Sequence, residues 1–364
     1  MEKFSAYRDP GTGIQPFLAP ISPGTSGVLL PLRYVLAMIR TAFILTILAI
    51  YVALVHGFCL CLIPIPYLHR RVTHVLTAIL GRTALFFLGF FWISVEYAPR
   101  KRRRGDGTEL AWNPCAGDII ISNWVSWIEL VWLAIRLNPI FVLPVSEQSP
   151  ETNNPSMISS RHRGARQTAG TNAPASRIPI NVFQKLSLLS IISRTARVPF
   201  RPVSWANPSS LDDIRKRADR PIVVFPECTT SNGRGLLRFS ALFHQNVPVK
   251  GYQVFIMSVR YDSPSTFVPA TTHCIPNYFL NPLPHLFRLA TALKPIGLHI
   301  RLLAPSDSPS SQLFMTSEVI FGTVEDQLAE SSAVLISQLG KLKRTNLGWE
   351  EKAAFLNFYY NRNR

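Results

Sequence analysis

Acidic residues are scarce in this chain. Of 364 residues only 21 are Asp or Glu, against 38 Lys or Arg, for a formal charge of +17 with histidine neutral. That excess favours anionic partners: a nucleic acid, an anionic membrane surface or a phosphorylated substrate. Cysteine is sparse too. Cys59, Cys61, Cys115, Cys228 and Cys274 form no C-x-x-C pair and no metal-ligand spacing, so no zinc site is expected, no metal is required, and the thiols read as reduced in a cytosol-facing protein. There is no helix-turn-helix and no aromatic-basic sheet motif, which argues against nucleic acid. No cleavable signal opens the chain, and no internal repeat is visible. Hydrophobic residues nevertheless make up 47%. That is too apolar for an ordinary basic soluble protein and too uneven for a polytopic transporter, so the apolar excess is localised.

It lies near the N-terminus. Residues 1–32 carry five prolines and no helical period and read as a disordered tail. Residues 33–96 read as a membrane anchor. A hydrophobic helix over 41–63 belongs to a run from Thr41 to Pro66 without a single Lys, Arg, Asp or Glu, longer than the roughly 20 residues that cross a bilayer core. A second apolar segment, 72–95, is interrupted by Arg82, and its aromatic end reads as interfacial or re-entrant. Arg100, Lys101, Arg102, Arg103 and Arg104 follow, placed to meet anionic headgroups of a membrane surface.

From residue 97 to 323 the pattern is that of a layered α/β domain. Short β-branched runs at Asp118–Ser122, Ile140–Leu143, Pro221–Phe225, Val254–Tyr261 and His299–Leu303 read as buried strands. Helical patterns fall at Trp127–Leu137, Val182–Arg194, Leu211–Ala218 and Leu236–His244. A Ser/Asn/Thr/Pro-rich basic stretch, 146–177, reads as a disordered insertion. Residues 324–364 read as a C-terminal helical segment with an amphipathic helix over Val324–Leu342 and an aromatic end that docks on the domain.

The chemistry concentrates at one corner. A buried strand ends in Phe225-Pro226-Glu227-Cys228-Thr229-Thr230-Ser231, with Arg234 and Arg238 beyond and a helix expected to start there. Thr229, Thr230 and Ser231 offer hydroxyls, the arginines offer charge-assisted donors, and free backbone N–H groups would complete an anion site. Glu227 would repel a phosphate unless it accepts a substrate hydroxyl or orients Arg234.

These residues resemble a known family. FPECTTSNGR is similar to the F-P-E-G-T block of the glycerol-phosphate and lysophospholipid acyltransferases, and Ser122-Asn123-Trp124-Val125-Ser126-Trp127-Ile128-Glu129 resembles their N-H-x-S-x-x-D block, about one hundred residues upstream. With Val247-Pro248-Val249 as a later block, the resemblance spans roughly residues 97–305. The anchor and the Leu347–Lys352 tail are most like the fungal lysophosphatidic acid:oleoyl-CoA acyltransferase subgroup. The resemblance implies an acyltransferase-type mixed sheet flanked by helices behind an N-terminal membrane-embedded segment. It also implies a lysophospholipid acceptor, lysophosphatidic acid yielding phosphatidic acid, with acyl-CoA as co-substrate and no cofactor. The location it implies is the cytosolic face of the endoplasmic reticulum or a lipid droplet.

At the positions of the family's catalytic His and Asp this chain has Trp124 and Glu129. An indole N–H is a donor only and takes no proton, and no other histidine here has a carboxylate five residues on. Glu129 is then a candidate base, its pKa raised by an apolar pocket, with Asn123 and Ser126 positioning substrate; it is equally a helix N-terminal residue favoured by the macrodipole. Cys228 replaces the family's Gly, where positive φ costs a side-chain-bearing residue about 1–2 kcal/mol. A catalytically silent phospholipid-binding relative is the alternative.

Overall fold

β-branched residues line up as a sheet wherever both faces are covered. The computed structural model describes residues 4–23, 29–99, 111–146, 178–199, 209–312, 314–320 and 324–362. Helices α1 (Leu30–His56) and α2 (Pro66–Leu88) come first, joined by a turn, then strand β1 (Ile93–Ala98). There follow β2 (Ile119–Ser122), α3 (Ile128–Leu137), β3 (Ile140–Val145), β4 (Val182–Leu186), α4 (Leu188–Arg194), α5 (Leu211–Lys216) and β5 (Ile222–Val224). The chain continues through β6 (Gly235–Leu236), β7 (Val254–Tyr261), α6 (Leu283–Ala290), β8 (Leu298–Leu303), α7 (Gln327–Gly340), β9 (Lys343–Arg344) and α8 (Trp349–Arg362).

Seven strands form a mixed sheet in the order β1-β8-β7-β2-β5-β3-β4, so the expected α/β sheet flanked by helices is present. The centre is parallel: Ile119 pairs with both Ile222 and Val254, and Ile140 with Ile222. β7 runs antiparallel to β8, and β3 antiparallel to β4. One apolar layer unites α5 and α7 with one sheet face; the other unites α2, α3, α4 and α6 with the opposite face. Because β2 and β5 are parallel neighbours, the loops after Ser122 and Val224 leave the same edge of the sheet side by side.

The two apolar helices form a hairpin lying against the domain. α1 ends at Gly57, where a β-carbon would meet the Ala53 carbonyl oxygen at 2.3 Å, so only glycine fits. α2 packs lengthwise on α3: Gly81 faces Ile135 and Val131, and His74 Nε2 lies 3.0 Å from the Ile135 carbonyl. α1 is pinned by Arg33, which donates to the carbonyls of Thr291 and Thr266, and by Arg40, which donates to those of Ala290 and Ala292. Both helices are long and apolar enough to cross a membrane, and Leu45, Leu48, Ile50, Val52, Val75 and Ile79 point away from the protein.

Several expectations are corrected. The second apolar segment does not continue to residue 95: left-handed Gly89 closes α2, and Ile93 to Ala98 pair with Leu298 to Leu303, so the sheet begins within the expected anchor. The range Val182–Arg194 is a strand and a short helix, divided at Ser187, which caps α4. Leu236–His244 is not helical. Its amides are taken by distant groups: Leu237 N–H by Glu227, Arg238 N–H by the Leu347 carbonyl, and Phe243 and His244 N–H by Asp326. Residues 4–23 are no loose tail, because Phe4, Tyr7 and Phe17 pack on Phe355 of α8 and Phe17 is buried. The basic run 100–104 and residues 147–177 of the expected insertion lie outside the described residues.

Candidate functional site

The two sequence blocks meet. Glu227, at the corner after β5, accepts the backbone N–H of Trp124 at 2.6 Å and that of Leu237 at 2.8 Å. Trp124 stacks on Phe225, ring centroids 5.0 Å apart, and its indole N–H donates to the Ser126 carbonyl at 3.0 Å. The indole thus fills the corner as packed core and uses its one donor on its own loop.

Glu129 opens α3 and folds back onto the same loop. Its Oε1 accepts the N–H groups of Val125 and Ser126, each at 2.6 Å, and Oε2 accepts the Tyr261 hydroxyl from the end of β7. Burial pushes its pKa up to about 7 against the pull of these donors. Burial also raises Glu227, to about 8; the amides of Trp124 and Leu237 and the charge of Lys352 oppose that rise, while Glu129 adds to it. The corner therefore holds two carboxyl groups, both wholly buried and both displaced towards neutrality.

The remaining candidates divide. Asn123 spans to β7 with both amide atoms, Nδ2 to the Val259 carbonyl at 2.9 Å and Oδ1 from the Val259 N–H at 2.8 Å. That is a structural clasp. Ser126 is buried, its hydroxyl beside that of Tyr261. Thr229 donates to the Arg197 carbonyl at 3.0 Å, Thr230 to that of His273 at 2.5 Å, and Ser231 to that of Gly235 at 3.4 Å; all three are buried. Their hydroxyls hold the loop's own surroundings together, and no helix follows Ser231 to present free amides, so the expected anion cradle is closed. Cys228 takes the left-handed conformation a glycine would prefer, φ +58°, with its thiol buried and its pKa pushed up by that burial. A raised pKa is the reverse of what a thiol nucleophile needs. Arg238 is committed to Glu350 at 3.1 Å, Glu351 at 3.3 Å and the Asn346 carbonyl at 3.0 Å. Arg234 is exposed.

Sequence reasoning missed the floor of the site. Lys352 of α8 is fully buried and donates to the Thr230 carbonyl at 2.7 Å and hydroxyl at 3.3 Å. Burial lowers its pKa to about 7, against the upward pull of Cys274 and Glu227. His273 stands beside it, and His285 packs on His273. His273 donates from Nε2 to Asn281 Oδ1 at 2.7 Å, since the Asn281 amide nitrogen is used on the carbonyls of Ser193 and Thr195. His285 Nδ1 accepts the Trp127 indole N–H at 3.0 Å. Burial lowers His273 to about 4 and holds His285 well below the usual imidazole range, so both are neutral. Spacing along the chain carries no sign of this pair, whose rings lie 4.6 Å apart. A cavity of about 330 Å³ reaches Tyr261; a larger one, about 520 Å³, lies at the foot of the hairpin between Arg70 and Arg220.

Fold and site together define an α/β protein with a seven-stranded mixed sheet, an apolar helical hairpin ahead of it, and a sealed two-carboxylate corner at the ends of its central parallel strands. No family model matches the chain. It is distantly homologous over its whole length to the "Putative lysophosphatidic acid:oleoyl-CoA acyltransferase" of Schizosaccharomyces pombe: 24% identical over 358 residues, 98% of this chain and 97% of that protein. The crystal structure of the 1-acyl-sn-glycerophosphate (LPA) acyltransferase PlsC from Thermotoga maritima superposes with a TM-score of 0.40 at 12% identity, over 85% of this chain and 97% of the other.

Proposed function

We propose that the chain is a membrane-seated acyltransferase that moves a fatty acyl group from acyl-CoA to the free hydroxyl of a lysophospholipid, with lysophosphatidic acid as acceptor and phosphatidic acid as product. The observation that carries this reading is the junction of Glu227 with the backbone of Trp124, which joins the two acyltransferase-like blocks across 103 residues. The full-length relationship to the fission-yeast protein supports it.

In the reaction the acceptor oxygen bonds to the thioester carbon, the C–S bond breaks, and the hydroxyl proton ends on the departing thiol as free coenzyme A. Glu129, with its pKa near neutrality, accepts the proton from the hydroxyl and returns it to the thiolate. Since Glu129 and Glu227 are fully buried, the loops around Trp124 and Thr229–Ser231 part to admit substrate, and Tyr261 gives up its bond to Glu129. Arg234 and Arg238 then face the acceptor phosphate, with Arg238 released from Glu350 and Glu351. The hairpin α1–α2 lies in one leaflet of an endoplasmic reticulum or lipid-droplet membrane. α3 packs along one side of α2, a contact that suits a hairpin seated in one leaflet. The basic run 100–104 meets anionic headgroups on the cytosolic side.

A second reading has its own observation. The indole of Trp124 occupies the place of a base, and the hydroxyls of Thr229, Thr230 and Ser231 are all used on backbone carbonyls. That arrangement suits a silent phospholipid-binding relative. Full-length protein in detergent, given labelled oleoyl-CoA and a panel of lysophospholipids, separates the two. Labelled phosphatidic acid above the no-protein rate supports the enzyme; stabilisation by lysophosphatidic acid without product supports the silent protein.

A further inference from the structure

Beyond the floor of the candidate site, the loop that starts at His273 carries its apolar side chains outward. Tyr278 is 94% exposed, Phe279 75% and Leu280 58%, three large consecutive side chains at the tip of the loop between His273 and α6. A loose loop would fold such residues inward, but this one is held from below. Asn281 Nδ2 donates to the carbonyls of Ser193 at 3.0 Å and Thr195 at 2.9 Å, and its Oδ1 accepts the Asn277 N–H at 3.2 Å as well as His273 Nε2. The Leu283 N–H closes back on the Leu280 carbonyl at 2.7 Å, and the Tyr360 hydroxyl donates to the Pro276 carbonyl. Outward projection is therefore built in, at a standing cost in exposed apolar surface that some partner must relieve.

The position of the tip names the partner. α6, which begins at Leu283, carries Phe287, and the Phe287 ring stacks on Tyr34 of α1 with centroids 6.4 Å apart. Around Tyr34 the surface of α1 is continuous apolar side chain: Leu32, Val35, Met38 and Ile39 are all exposed. The tip thus extends the apolar face of the anchor, and exposed Arg288, which follows Phe287 on α6, has a reach suited to headgroups. Tyr and Phe next to a cation make up the composition of an interfacial contact.

We propose that Tyr278, Phe279 and Leu280 insert into the lipid surface beside the anchor hairpin, as a second point of membrane contact. The inference rests on the membrane reading above. It places the base of the loop, Asn281 and His273, directly under the bilayer surface, next to the loop that carries Thr230.

The test uses the full chain with the exposed Cys61 and Cys115 replaced by Ser, reconstituted into vesicles of phosphatidylcholine and phosphatidic acid. A nitroxide is attached at Phe279→Cys, and in a separate sample at Leu48→Cys on the anchor. Collision with oxygen, which concentrates in lipid, is compared with collision with a water-soluble nickel complex. The expected result is several-fold preference for oxygen at both positions. Nickel access at 279 with lipid burial at 48 overturns the tip contact and leaves the membrane reading standing; nickel access at both overturns the two together. Shielding of 279 from both reagents, relieved when the protein is diluted into empty vesicles, means that a second copy covers the tip and also overturns the proposal. Should Phe279→Cys fold poorly, Tyr278→Cys, the more exposed position, gives the same reading.

Discussion

Glu227 and Lys352, both fully buried, act on one another electrostatically beneath the candidate site, and each holds a different part of the same loop system. Glu227 accepts the N–H groups of Trp124 and Leu237, while Lys352 donates to Thr230, three residues further along from Glu227. Burial drives the carboxyl towards its neutral acid and the amine towards its neutral base, the carboxyl to about 8 and the amine to about 7.

A pH dependence of stability follows. The carboxyls of Glu129 and Glu227 have folded pKa values above the ordinary 4.5, so the native state keeps protons that the unfolded chain releases. Their contribution is complete below about pH 4.5 and declines as pH rises through about 7 to 8. Lys352 is lowered from 10.5 to about 7, so its contribution is present above about 10.5 and declines as pH falls towards 7. Melting temperature should therefore dip near neutrality. Glu227→Gln should flatten the acid side of the dip and Lys352→Met the alkaline side, measured by thermal denaturation from pH 5 to 10. Slopes unchanged in both variants would contradict these assignments.

Trp124 is core. Trp124→Ala removes the stack on Phe225 and leaves a hole, and should cost about 3–5 kcal/mol by denaturant titration. Trp124→Phe keeps a ring on Phe225 but loses the bond to the Ser126 carbonyl and part of the indole's packing, and should cost less, about 1–3 kcal/mol. Equal losses would mean that the stack contributes nothing.

Thiol accessibility tests the corner directly. Cys61 and Cys115 are exposed; Cys59, Cys228 and Cys274 are buried. A thiol-specific reagent should label the first two in native protein and all five after denaturation. Rapid native labelling of Cys228 would contradict the burial that raises its pKa.

If Glu129 is the base, turnover rises with pH and is half-maximal near pH 7, because only the carboxylate accepts a proton. A rate independent of pH between 5.5 and 8.5, read from initial rates, would assign the step to another group.

Strands were legible because their information is local. Val254–Tyr261 reads as a strand from its own composition and is one, residue for residue. Leu236–His244 has a helical pattern, yet Glu227, Asp326 and the Leu347 carbonyl claim its amides from elsewhere in the chain, and nothing in those nine residues announces it. The same limit applies at the site. The approach of the two blocks was readable from their order, and so was the strain at Cys228 from the missing glycine. The fate of Arg238 was not, since its carboxylates lie 112 and 113 residues away; nor was the burial of Lys352, whose charge after Glu350 and Glu351 looks like any solvated one.

The central claim is acyl transfer at the Glu129–Glu227 corner. Its most direct test is formation of labelled phosphatidic acid from oleoyl-CoA and lysophosphatidic acid by full-length wild type and by Glu129→Gln, with matched circular dichroism. The account predicts product from wild type and a loss of at least about 10²-fold in the variant, the scale of a removed general base. Equal product from both, or none from wild type, would contradict it.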